Sequence, residues 1–205
     1  MMALLSDHGD GQDPGEPFQT DPKPGASICV HTPKDGPGGN TAASLVAHLC
    51  SDGSRLPVYW CSFYSPCLGL FLPIFIEGNL PPMLSKGDGE PTEESPWWGF
   101  HRLSRFVRSA PETRMPLVRQ RWTDIQNELF HSAEEMALKG RRLIDDGQTE
   151  KASQVLTEYM NQNATTMWTT LSDLLSEFSA QQSPPQAHAE RSNTSSQKEN
   201  AFTPF

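Results

Sequence analysis

From Leu56 to Ile76 the chain runs 21 residues without a formal charge, close to the length that spans a bilayer as a helix. Any fold this chain adopts has to bury that segment. Pro57, Pro66 and Pro73 interrupt it and Ser62 and Ser65 add polarity. Its Val, Ile, Tyr, Trp and Phe content suits strands better than a helix. The segment is therefore read as two buried strands, and no membrane partner is expected. Ser65-Pro66 is the break between them, because the residue before a proline leaves the helical region and proline favours turns.

The 205 residues carry 16 basic and 25 acidic side chains, for a net charge of −9 and a pI near 5.1. That length holds one domain with tails. The acidic balance argues against nucleic acid as a partner, because neutralising phosphates requires clustered Lys and Arg. Arg102, Arg105 and Arg108 form the one basic patch, and their helical spacing reads as a solvated face or as partners for the acidic excess. The opening run Met1–Leu5 is too short, and lacks the basic flank, for a secretory signal. Cys29, Cys50, Cys61 and Cys67 are too sparse for a disulfide scaffold, so they are read as reduced thiols in a cytoplasmic protein.

Along the chain, residues 10–27 are rich in Pro and Gly and read as a surface loop. Ile28–Thr32 reads as a short strand stopped by Pro33. Thr41–Leu49 is a second strand, with Ala43, Leu45, Ala47 and Leu49 on one face, and it is expected to pair antiparallel with Val58–Phe63 across the turn-rich Ser51–Ser54. Residues 78–96 read as a second loop. In the run that follows, Phe100, Leu103, Phe106 and Val107 share one helical face. From Pro116, the positions Val118, Trp122, Ile125, Leu129, Ala133 and Met136 make a helical stripe that ends at Gly140 or at Asp145-Asp146-Gly147. A longer stripe follows: Ala152, Val155 or Leu156, Tyr159, Asn163, Met167, Leu171, Leu174 and Phe178. A short acidic turn between two such helices predicts an antiparallel pair. The fold class is α+β, with one domain over 1–178 and a disordered tail over 179–205.

Little in the pattern specifies chemistry. His31 stands two residues after Cys29, so a strand puts both on one face as half of a metal site. No second pair has ligand spacing, and Cys61 and Cys67 lie too far apart in sequence for a structural zinc knuckle. Buried thiols are the simpler reading, and no metal or other cofactor is expected. A Cys-His catalytic pair drawn from Cys29 or Cys61 with His31 or His48 has no visible third residue to orient the imidazole. Gly36-Pro37-Gly38-Gly39 lacks the lysine and helix start of a phosphate loop.

One ordered series of patches is more specific. Leu4–His8, Ile28–His31, Thr41–Val46, Val58–Ser62, Phe71–Phe75 and Trp97–Leu103 together resemble the C-terminal half of secernins, relatives of the dipeptidase-A type of N-terminal-nucleophile cysteine hydrolases. The resemblance covers roughly residues 3–178 and implies part of an αββα sandwich. It also implies an ancestral hydrolysis of amide bonds in dipeptides. In that family the nucleophile is a Cys at the first position of the mature chain, whose own α-amine can take the thiol proton. This sequence begins Met1-Met2-Ala3 and its earliest cysteine is Cys29, so no catalytic residue carries over. The expectation is a chain that is inactive alone and would take a small peptide substrate only when completed by an N-terminal part. His31, Thr41, Ser44 and Ser62 fall within the matching patches and are the pocket candidates. The other reading is a non-catalytic protein that uses the 116–178 helix pair and the tail to bind a protein partner or another copy of itself, in keeping with the association of secernins with regulated secretion.

Overall fold

A computed structural model describes residues 2–6, 28–31 and 39–182. The loop expected at 10–27 and most of the tail lie outside these residues. The architecture is mixed α/β: a three-stranded antiparallel sheet packed with three long helices. The elements are a single turn α1 (Met2–Leu5), β1 (Ala43–His48), β2 (Val58–Phe63), β3 (Leu72–Ile74), α2 (Pro96–Ser109), α3 (Pro111–Asp145) and α4 (Thr149–Gln182). A 3₁₀ turn at Pro82–Ser85 sits within the loop expected at 78–96. Among the described residues there is one sheet, and no helix is long and apolar enough to cross a membrane.

The uncharged segment is consumed as anticipated. It supplies β2 and β3, separated by the turn at Ser65-Pro66, with Val58, Trp60, Leu68, Leu70, Phe71, Leu72 and Phe75 buried. β1 pairs with β2 in a register that sets Val46 opposite Trp60 and Ser44 opposite Ser62. That register reverses one expectation. The face carrying Leu45 points outward, with Leu45 60% exposed, while Val46 turns in. Side chains alternate along a strand, so Trp60 packing on α3 puts Ser44, Val46 and His48 on its side of β1, of which Val46 is buried, Ser44 half-buried and His48 exposed. Ile28–His31 is not a strand either. Val30 makes two hydrogen bonds, both to Thr41, and no ladder follows. The alternation nonetheless survives, with Cys29 and His31 inward and Ile28 and Val30 outward.

Ser95 caps α2 by accepting from the Trp98 amide, and Pro96 occupies the first helical position. The expected inner face is buried at Phe100, Leu103 and Val107. α3 begins at Pro111 rather than Pro116, which lies exposed within the helix. The earlier start is held by Arg114 and Met115, both buried. Arg114 donates to the Phe106 carbonyl at 2.8 Å and to Ser109 Oγ at 2.6 Å, satisfying the C-terminal turn of α2. Its guanidinium also lies 5.1 Å from the Phe178 ring centroid. α3 passes through Gly140 and ends at Asp145; α4 starts at Thr149 and runs to Gln182, past the expected end at Phe178. The pair is antiparallel, since Arg114 meets Phe178, Ser132 meets Tyr159 and Gly140 meets Leu156.

Candidate functional site

Three segments converge beside the sheet. Tyr64, which follows β2, adopts φ 57°, a left-handed conformation that is costly for an aromatic residue. Its amide is held by the Ala42 carbonyl at 2.8 Å. The reversal sends Ser65-Pro66-Cys67 back under the sheet. The Ile28–His31 segment reaches the same place, tethered by Thr41, whose Oγ1 accepts from the Val30 amide at 3.0 Å and whose amide donates to the Val30 carbonyl at 2.9 Å. The result is a buried cluster. His31 Nε2 lies 3.3 Å from Cys29 Sγ and 3.4 Å from Cys67 Sγ, and His31 Nδ1 lies 3.2 Å from Ser65 Oγ. His31 is 2% exposed, Cys29 0% and Cys67 7%. Burial pushes the Cys67 thiol well above its ordinary pKa, and the Cys29 thiol beside it adds to that effect, while Arg119 opposes it.

Cys67 also lines a cleft of about 990 Å³ between the β1–β2 hairpin and α3. Val46, Val58 and Trp60 form one wall, with Trp122 and Phe130 opposite. Trp60 and Phe130 meet edge to face at 5.0 Å. Most of the polar groups come from α3, where Arg119, Thr123, Gln126, Asn127 and Glu134 follow helical spacing along one face, and Ser6 and His48 add to them. Gln126 clamps both backbone groups of Phe71, and Trp122 donates to the Leu68 carbonyl at 3.0 Å, fixing the 68–71 strand entry against α3. At the far end, Arg55 bridges Glu134 at 3.2 Å and donates to His48 Nε2.

The four pocket candidates thus have different positions. His31 is at the centre of the cluster and Thr41 holds the segment that delivers it. Ser44 and Ser62 are register partners in the hairpin; Ser62 is buried with its Oγ unpartnered, and Ser44 is half-buried. Cys67 and Ser65 were missed as partners of His31. They lie 36 and 34 residues away, so local spacing carried no signal beyond a turn at Pro66. Of the arginine patch, Arg102 faces Glu93 at 3.9 Å. No protein-family model matches the chain, and no curated protein is significantly similar to it.

Proposed function

We propose that this chain is a secernin-like domain of the cysteine-dipeptidase type whose cleft holds a short peptide, and that it does not hydrolyse peptides by itself. The observation that carries the reading is the cleft: an apolar trough of about 990 Å³, walled by Trp60, Trp122 and Phe130 and edged by polar groups of α3. From Arg119 to Glu134 the helical rise gives about 22 Å, room for an extended segment of about six residues. Arg119 suits a terminal carboxylate. The thiol in the cleft wall is a poor nucleophile, because Cys67 is held protonated by burial and only a thiolate attacks. The outward face of the hairpin supports the sandwich part of the reading. Leu45 is exposed there, with Tyr59, Cys61 and Ile74 half-buried, as a sheet would be that stacks on a second one. Four cysteines outside any disulfide accord with a cytoplasmic setting.

Fluorescence anisotropy with labelled peptides of two to six residues tests the binding, and a thiol-dependent dipeptidase assay on the same chain tests the inactivity. Saturable binding is expected, weakened about tenfold by Phe130→Ala, a solvent-facing ring whose loss leaves the helix intact. No turnover is expected. Turnover abolished by alkylation would remove the claim of inactivity, and absence of saturable binding would remove the peptide reading.

A further inference from the structure

We propose that Cys29, His31 and Cys67 bind a divalent cation of the zinc class, with Ser65 as the residue that positions the imidazole. Two sulfurs approach the same nitrogen, at 3.3 Å and 3.4 Å from His31 Nε2. The two thiols also bond to each other, so both sulfurs and Nε2 close into one buried cluster of three ligand-type atoms. A cation between them satisfies all three atoms together. The distances fit that role: tetrahedral zinc with ordinary Zn–S and Zn–N bonds sets neighbouring sulfur and nitrogen ligands about 3.6 Å apart. All three ligand atoms already lie within 4.8 Å of one another.

The surroundings agree. His31 Nδ1 is engaged by Ser65 Oγ at 3.2 Å, which leaves Nε2 as the ligand nitrogen and fixes the plane of the ring. Two thiolates balance the charge of a divalent ion, so the bound site is neutral and can remain buried. Sulfur and imidazole ligands select zinc over magnesium or calcium. Three protein ligands leave a fourth position for water or for a group bound in the cleft that Cys67 also lines. Binding replaces the thiol protons, with two released per ion if both sulfurs start as thiols. The remaining cysteines offer no such set: Cys50 is engaged with Asp52 and Ser54 in the β1–β2 loop, and Cys61 is half-buried within β2.

The test uses the full chain, stripped with chelator under reductant and then titrated with Co²⁺ and Zn²⁺. One Co²⁺ per chain is expected, with the visible bands of a tetrahedral ion and near-ultraviolet thiolate charge transfer, displaced by Zn²⁺. Zn²⁺ is expected to protect Cys29 and Cys67 from alkylation while Cys50 and Cys61 react at unchanged rates. That footprint is read on the unmodified chain and so does not depend on any variant folding. Ser65→Ala, which removes no ligand, is expected to weaken binding about 10–100-fold, and Cys67→Ser or His31→Gln to weaken it further. The proposal is overturned by absence of a cobalt spectrum, by protection of Cys50 or Cys61 instead, by a spectrum that persists in Cys67→Ser, or by a Cys29–Cys67 disulfide in chain purified under reductant.

Discussion

His101 lies in an aromatic cage, stacked on Trp97 at 5.9 Å with the rings of Tyr64 and Trp98 edge-on. Burial lowers its pKa below the ordinary value of 6.5, and Arg105 and then Arg108 act in the same direction. Between that ordinary value and the lower folded one, the unfolded chain binds more protons than the native protein. Stability from this group is therefore fully present above about pH 6.5 and is lost as the pH falls through the folded value. Urea midpoints measured across that window are expected to rise with pH, and His101→Gln is expected to flatten the rise. An identical slope in the variant would assign the dependence to another group. Asp52 behaves differently at the surface, where the Cys50 thiol and then the Ser54 amide hold its carboxyl down to about 2, in a position open to solvent screening.

Two glycines, Gly140 and Gly147, separate what ends a helix from what lets helices meet. Gly147, at φ 74°, closes α3: its amide donates to the Ile144 carbonyl and that of Gln148 to the Leu143 carbonyl. Gly147→Ala puts a side chain into a left-handed position and is expected to lower stability by about 1 kcal/mol, read as a shifted denaturation midpoint; no shift would mean that the turn relaxes freely. Gly140, the other candidate terminator, is buried mid-helix, where a Cβ would lie 2.6 Å from Leu56 and 3.3 Å from Leu156. Its small size serves close approach. The stripe of α4 was legible in period and in phase except at Tyr159 and Asn163, where the buried positions are Met160 and Ala164. Ala152, Leu156, Met160, Ala164, Met167, Leu171, Leu174 and Phe178 are buried, whereas Tyr159 and Asn163, which also fit the spacing, lie at its margin. Tyr159 there keeps a 2.8 Å hydrogen bond to Ser132, which a fully buried phenol would have to find elsewhere.

At the scale of the molecule, α3 packs on the Trp60 face of the hairpin, and the other face meets α2 at Phe63 and displays Leu45 with the half-buried Tyr59 and Cys61. A small sheet with an open apolar face and two edge strands is prone to associate. Leu45→Lys is expected to shift concentration-dependent sedimentation toward the monomer while leaving the thermal midpoint in place, because exposed substitutions cost within about 0.5 kcal/mol. Sedimentation that does not change would show that association, if it occurs, uses another surface. The apolar stripes of the helix pair are spent inward, on each other, on α2 and on the sheet, so an interaction through α3 and α4 would use their polar outer faces.

The order of elements from β1 onward, the antiparallel hairpin, the break at Ser65-Pro66 and the helix pair were written in local pattern, because proline geometry, side-chain alternation and helical periodicity act over a few residues. Two things were not. Which face of β1 turns inward depends on Trp60 meeting α3, and the union of Cys29 and His31 with Cys67 depends on a tether at Thr41 and a left-handed turn at Tyr64. Both are contacts between parts of the chain far apart in sequence, and their energy exists only once the intervening segments have packed.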